Sequence, residues 1–286
     1  MSNTVFLAEH RKDAHAKPDP RKKGTLLVLI FILLVLLISV LVLLLPAFRI
    51  RKITVEGNRV ILTEDIIAAS RLIAGEHILA HVGGGIVPFF MLRYGSLEDE
   101  LSEIFPYIRS VQVRVQIPSE VRIIIEERQK IGYLDVPDGY AVIDSEGYVV
   151  EISSSEPPTG VPMIEGIPVK TAVLNQPMSL FETRGLDRCM VIFGAILDAD
   201  AAKSDGSDFS LMSCVSSVRY VGKDINYLVV HPKNSTQSML VKIGSLKEIY
   251  GDMIWLRHAF ANNLIDFSDT GVLDMSGVEY TMRENN

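Results

Sequence analysis

An apolar run from Thr25 to Leu45, TLLVLIFILLVLLISVLVLLL, constrains this chain more than any other feature. Its only polar members are Thr25 and Ser39, and both can return their hydroxyls to a helical carbonyl. The run counts 21 residues, which as a helix spans roughly 31 Å, against a hydrocarbon core of about 30 Å. A helix is the only single segment that crosses lipid, because lipid offers no partner to a free amide. The sequence therefore predicts one membrane span, with the working part after Leu45. A cleaved secretion signal is the competing reading. The apolar core is too long for one, and LLLPAFRI lacks a small-x-small cleavage site.

Charge sets the expected orientation. Before the run stand Arg11, Lys12, Lys17, Arg21, Lys22 and Lys23, against Glu9, Asp13 and Asp19. Basic residues crowded before a span stay cytoplasmic, and Arg49, Arg51 and Lys52 beyond it form the smaller cluster. The expectation is N-terminus in, C-terminus out. Of a net charge of −7, residues 1–24 carry +3, which leaves −10 for the rest. A basic tail suits an anionic inner leaflet. An acidic ectodomain argues against a nucleic-acid groove, which needs a basic face, so no nucleic-acid partner is expected. The tail is poor in large apolar residues and reads as disordered. Cys189 and Cys214 are the only cysteines, lie outside by this topology, and are read as reduced and structural.

After the span the pattern is strand, helix, helix, strand, strand. Ile53 and Val55 alternate with Lys52, Thr54 and Glu56, and Gly57-Asn58 turns the chain. Thr63 is expected to cap a helix carrying Ile66, Ile67, Ala69, Ser70 and Ile73, with Gly75 ending it. Ser96-x-x-Asp99 is expected to open a second helix striped by Leu97, Leu101, Ile104 and Phe105. Val111, Val113, Val115 and Ile117 then point inward, and Val121, Ile123 and Ile125 continue beyond Pro118-Ser119. A three-stranded sheet with two helices on one face buries both stripes. Between the helices, residues 83–94 form an apolar, glycine-led insertion, read as a loop folded over the small core; a sticky patch for a membrane surface or partner helix is the alternative. His77 and His81 have helical zinc spacing, but no Glu follows His77 and no third ligand is evident, so no metal is expected.

Further on, residues 140–150 read as a hairpin around Asp144-Ser145-Glu146-Gly147. Asp144 and Glu146 imitate calcium ligands, but the rest of a calcium loop is missing. Residues 186–203 read as a helix striped by Leu186, Met190, Phe193 and Leu197. Strands are expected at 217–220, 226–230 and 238–243, with turns at Gly222-Lys223-Asp224 and Pro232-Lys233-Asn234. Ser245 is expected to cap a helix carrying Leu246, Ile249, Met253, Leu256 and Phe260. The closing segment alternates, with Val272, Asp274 and Ser276 on one face and Leu273 and Met275 on the other.

These phrases carry a family resemblance. Val55 to Asn58 (V-E-G-N), Pro106 to Val111 (P-Y-I-x-S-V), Ile117 to Val121 (I-P-S-x-V) and Glu127-Arg128, all after an N-terminal anchor, resemble the POTRA domain of the FtsQ/DivIB family of bacterial cell-division proteins. YAVIDSEGYVV, GVPMIEGI and the G-x-x-D of 271–274 resemble parts of the family's β domain. The resemblance implies an α+β chain: a single N-terminal transmembrane helix, a βααββ POTRA domain, and a mixed α/β "β domain" dominated by antiparallel strands. The expected division is tail 1–24, span 25–45, POTRA domain 48–128, β domain 129–270, and C-terminal strand and tail 271–286.

Enzyme signals are absent from the sequence: there is no G-x-S-x-G elbow, P-loop, H-E-x-x-H, or S-x-x-K followed by K-T-G. His231 and His258 have no serine and acid at a recognisable offset, and Asn234-Ser235-Thr236 reads as a turn rather than a glycan site. No catalytic residue and no cofactor is expected. A sheet edge can instead accept a partner strand through backbone hydrogen bonds. The resemblance implies such a use toward FtsB/DivIC-like and FtsL-like single-span proteins and the septal peptidoglycan synthase complex. Carried onto this chain, the edge is Val272, Leu273, Asp274, Met275, Ser276, Gly277, Val278, Glu279, Tyr280, Thr281 and Met282, with Tyr280 as anchor. The implied role is a non-enzymatic scaffold of the division septum. A POTRA-bearing secretion component is the alternative; the alternating segments are too short and acidic for the barrel that class carries. An anchored cell-wall enzyme is a third reading, which the missing motifs disfavour.

Overall fold

The computed structural model describes residues 20–43, 45–203, 206–231, 238–262, 264–265, 271–277 and 279–284. The tail cations Arg11, Lys12 and Lys17, the turn Pro232-Lys233-Asn234, the Asn234-Ser235-Thr236 triplet and Val278 lie outside the described residues.

Helix α1 (Pro20–Leu43) covers the expected span up to Leu43. Its segment Gly24–Leu41 has a mean hydropathy of 3.2, and none of it is buried by the rest of the chain. Ser39 Oγ donates to the Val35 carbonyl at 2.8 Å, which satisfies the hydroxyl inside the helix. The helix stops at Leu43 rather than at 45, and Pro46–Phe48 makes one 3-10 turn. Pro46 explains the stop: the residue before a proline is driven out of the helical region, and Leu45 is extended with ψ 146°.

The first unit comprises β1 (Lys52–Glu56), α2 (Thr63–Ser70), α3 (Ile86–Phe90), α4 (Gly95–Ile104), β2 (Ile108–Gln116) and β3 (Glu120–Glu127). Its sheet order is β1-β3-β2, with β1 parallel and β2 antiparallel to β3. The core joins Ile66 of α2 and Leu101 of α4 to Val113, Val121 and Ile123 of the sheet, all fully buried.

Several local expectations change here. Thr63 does not cap α2; Leu62 holds that position, and Thr63 Oγ1 accepts from Asn58 Nδ2 at 3.1 Å. The turn before the helix is held from the sheet instead, because the Glu127 carboxylate accepts from the amides of Arg59, Val60 and Ile61 at 2.8–2.9 Å. The helix ends at Arg71, in the left-handed region with φ 52°, and not at Gly75. No side chain caps α4 either. Glu98 in its first turn accepts from Arg93 Nε at 2.8 Å and from the Val113 amide at 2.7 Å, which pins the helix to β2. Ile117 is exposed, because it falls beyond Gln116, the last paired residue of β2. Ile73 and Ile104 are exposed too, as each stands at or past a helix end. His77 bridges Arg49 in antiparallel sense and His81 lies in the turn that follows, so neither is on a helix, and His81 Nε2 lies 3.1 Å from Glu76 Oε2. The insertion does not fold flat over the core: Tyr94 is buried, but α3 leaves Ile86, Val87, Phe89, Phe90 and Met91 exposed.

The second unit runs β4 (Lys130–Val136), β5 (Gly139–Asp144), β6 (Val149–Ser153), β7 (Met163–Glu165), β8 (Val169–Thr171), β9 (Ser179–Leu180), α5 (Arg184–Ala202), β10 (Val215–Gly222), β11 (Ile225–Val230), β12 (Met239–Ile243), α6 (Ile249–Ala261), β13 (Gly271–Asp274) and β14 (Thr281–Glu284). Nine strands form one sheet in the order β14-β13-β12-β11-β10-β7-β4-β5-β6, while β8 and β9 pair separately. Five of its eight pairings are antiparallel; β10–β7, β4–β7 and β12–β13 are parallel. The chain is thus α+β with strands predominating. Residues of β11 and β12 alternate buried and half-buried, as expected of a sheet packed by helices on one face. Phe193 and Ile196 of α5 and Met253 and Leu256 of α6 fill that core.

Leu197, placed on the α5 stripe, is exposed; the buried stripe runs through Cys189, Ile192, Phe193, Ile196 and Ala199. Ser245 does not cap α6, whose N-cap is Glu248. Cys189 and Cys214 are buried and not disulfide-linked, and burial pushes the Cys189 thiol up to about 12. β4 and β7 join the two halves of the sheet and were not anticipated.

Candidate partner-binding edge and inter-unit joint

The closing segment is two strands rather than one. β13 lies inside the sheet, parallel to β12, and the chain then reverses so that β14 forms the outer edge. The register pairs Asp274 with Thr281, Leu273 with Met282 and Val272 with Arg283. Of the eleven expected binding residues, Leu273, Asp274 and Met275 are therefore buried, and Val272 is half-buried. Ser276, Gly277 and Glu279 are exposed in the reversal, and Thr281 and Met282 are exposed on the edge strand.

Asp274 holds the reversal together. Its carboxylate accepts from the Ser276 amide at 3.0 Å and hydroxyl at 2.5 Å, and Lys242 Nζ of β12 reaches it at 2.9 Å. The Ser276 hydroxyl and then Lys242 keep the Asp274 carboxyl down at about 2. The Met275 amide adds a bond to the Lys242 carbonyl at 2.9 Å.

Tyr280 is half-buried, and its ring packs on Trp255 of α6 with centroids 4.6 Å apart. Its hydroxyl donates to Asp252 Oδ1 at 2.6 Å. Burial, with the Asp252 carboxylate second, raises the phenol to about 12. Trp255 and Tyr250 remain exposed beside this contact. The edge thus comprises a four-residue strand and an aromatic ledge from α6. The sequence reading missed Trp255 and Asp252. The available signal was the chain's single tryptophan standing off the stripe of Ile249, Met253, Leu256 and Phe260.

A second polar cluster joins the two units. Arg128, just after β3, places Nη1 2.6 Å from Asp144 Oδ2 and 3.0 Å from Glu146 Oε2, with its guanidinium 3.8 Å from the centre of the Tyr148 ring. Arg109 of β2 also binds Glu146. Tyr107 donates its hydroxyl to Glu151 of β6, which Lys130 Nζ meets at 2.8 Å. Asn175 Nδ2 donates to the Ser102 carbonyl of α4 at 2.7 Å. Asp144 also accepts the amides of Glu146 and Tyr148 at 2.9 Å each, which makes it the pivot of the hairpin rather than a calcium ligand.

These contacts explain the sequence phrases residue by residue. A Cβ on Gly57 (φ 90°) would fall 2.0 Å from the Ile125 carbonyl oxygen, so the V-E-G-N turn requires glycine. Tyr107 of P-Y-I-x-S-V bridges the units. Glu127 holds residues 59–61 and Arg128 holds the next hairpin.

Residues 84–128 match the POTRA domain of FtsQ type. A "Cell division protein DivIB" from Clostridium acetobutylicum is 31% identical over 126 residues, 44% of this chain and 46% of that protein. Over these stretches the chain is similar to FtsQ and DivIB proteins. "Cell division protein FtsQ" from Mycobacterium leprae is 27% identical over 120 residues, covering 42% of this chain and 31% of that protein. The major extracytoplasmic domain of DivIB from Geobacillus stearothermophilus aligns with 13% identity and a TM-score of 0.29, over 49% of this chain and 99% of that structure. The chain spans about half the length of the curated relatives it matches; the first of them is covered over 46%. The matched POTRA stretch begins within the insertion, ahead of α3, and ends at Arg128.

Proposed function

We propose that this chain is a non-enzymatic scaffold of the bacterial division machinery, anchored by α1 with its N-terminus in the cytoplasm and both folded units outside. The names of its relatives support a division role. The basic tail and the acidic remainder support the orientation.

The observation that carries the docking mode is the outer position of β14 beside the Trp255–Tyr280 ledge. An edge strand offers alternate amides and carbonyls to an incoming strand, and an adjacent half-exposed aromatic adds area and selectivity. The partners that suit it are the extracytoplasmic segments of FtsB/DivIC-like and FtsL-like single-span proteins, which would connect the chain to the septal peptidoglycan synthase complex. No step of this role needs a catalytic group or a cofactor.

Crosslinking in living cells followed by co-purification tests the reading. The expected result is recovery of a single-span division protein through a photoreactive residue at Arg283, with the protein concentrated at midcell. A diffuse envelope signal with normal division would reject the role. Midcell localisation without a crosslink at β14 would reject only the edge.

A further inference from the structure

Among the described residues, helix α3 and the residue after it carry an apolar patch that nothing covers. Ile86 and Phe90 are 79% and 80% exposed, and Val87, Phe89 and Met91 stand beside them. The first unit is already closed without them, because Tyr94 is fully buried with its hydroxyl on the Ile78 carbonyl.

The sheet register fixes where this patch stands. Lys52, Glu120 and Gln116 form the last rung at one end of β1-β3-β2. The chain arrives at that end from α1, and the Arg51 amide donates to the Ser119 carbonyl at 2.9 Å. Residues 92–94 add to the outer edge of β2: Arg93 bridges Arg114 in antiparallel sense, and the Val115 amide donates to the Leu92 carbonyl at 2.9 Å. Because β2 runs toward the last rung, residues 92–94 run away from it. The Leu92 carbonyl meets Val115, one residue short of that rung, and the Arg93 amide donates to the Pro88 carbonyl at 2.8 Å, so α3 packs beside residues 92–95 and its C-terminal end joins the outer edge of β2 near that end of the sheet. Exposed Ile117 and Ile73 share that end.

The tether from Leu43 to Lys52 reaches at most about 30 Å when fully extended. Docking shortens it: the Ile78 amide donates to the Phe48 carbonyl and the Ile50 amide to the Glu76 carbonyl, both at 2.8 Å. Arg49, Arg51 and Lys52 are exposed along the tether, where they complement phosphate headgroups.

We infer that α3 is a second membrane contact, which sets Ile86, Phe89 and Phe90 into the headgroup–acyl boundary of the bilayer that α1 crosses. Apolar side chains on a short amphipathic segment settle at that depth, next to basic residues that stay in the headgroups. One inserted helix leaves the first unit free to swivel about its tether; a second contact fixes its tilt and thereby the direction in which the second unit points.

This inference rests on α1 being the membrane anchor, and one experiment separates the two. The full chain carrying Phe90→Trp in a Trp255→Phe background is reconstituted into vesicles of phosphatidylglycerol and phosphatidylethanolamine with brominated acyl chains. Flotation with the vesicles reports the anchor. Bromine quenching of the new tryptophan, by at least about twofold, is the expected result. Val60→Trp in the same background, at the opposite end of the sheet, is expected to be unquenched. A floating protein whose tryptophan at 90 is quenched no more than that at 60 overturns the inference while sparing the anchor. Failure to float overturns both. A tryptophan at 90 shielded from aqueous iodide but not quenched by bromine also overturns it, and assigns the patch to a second copy of this chain.

Discussion

Arg128 Nη1 lies 2.6 Å from Asp144 Oδ2, and this pair of almost fully buried side chains joins the end of β3 to the hairpin of the second unit. The position of β14 relative to the membrane depends on that joint, since everything from β4 onward hangs from it. Removing one member of a buried pair leaves the other charge without compensation. Asp144→Ala is expected to lower the unfolding free energy by about 3 kcal/mol and to broaden the distance between labels on the two units. Denaturant unfolding and pulsed dipolar spectroscopy measure the two effects. An unchanged distance distribution would show that the other contacts across the joint, among them Arg128 and Arg109 with Glu146, Tyr107 with Glu151 and Asn175 with Ser102, suffice to hold it.

The turn after β1 has no room for a side chain. Gly57→Ala is expected to cost about 2 kcal/mol or more, because φ is 90° and the added methyl meets the Ile125 carbonyl. A thermal melt of the full chain reads the loss, and a wild-type midpoint would contradict the geometry.

Stability should fall on acidification through the Asp274 site. The carboxyl titrates at about 2 in the folded protein and near 3.8 otherwise. A depressed folded value means that the stabilisation is complete above pH 4 and is lost as pH falls from there toward 2. The contribution is about 1–2 kcal/mol at neutral pH. Asp274→Asn should remove that part of the acid dependence, as measured by denaturant midpoints from pH 7 to pH 2. Parallel profiles for the two proteins would refute the assignment.

Proline scanning of β14 separates edge binding from folding. In an antiparallel pair, neighbouring residues alternate between facing the partner strand and facing outward. Of Met282→Pro and Arg283→Pro, one removes a bond to β13 and the other removes only an outward amide. The outward variant is expected to keep the wild-type melting curve and to reduce capture of an FtsB/DivIC-like ectodomain at least about tenfold. Equal capture by both variants would move the binding site away from β14.

How much of this was legible in the sequence follows the range of the interactions. The span, the alternation of Val111 and Val113, the Gly57 turn and the 144–147 hairpin depend on a residue and its near neighbours, so pattern reading reached them. Helix caps at Thr63, Ser96 and Ser245 were local expectations that failed. In the first two helices the entry is held from elsewhere, by Glu127 across 66 residues in one case and by Arg93 and Val113 meeting Glu98 in the other. Ile117 and α3 were misjudged for a similar reason: whether an apolar residue is covered depends on where a sheet ends, which periodicity does not state.

The sequence alone determined that this chain has one lipid-compatible helix and two α+β units behind it, because hydrophobic length and alternation are properties of consecutive residues. Tertiary structure decided which strand is the edge. The closing segment reads as one alternating strand, yet Asp274 accepts from Ser276 and Lys242, bends the chain, buries β13 and puts β14 outside. A lysine 32 residues away in β12 and a tryptophan on α6 set that outcome, and only folding brings them to the same place.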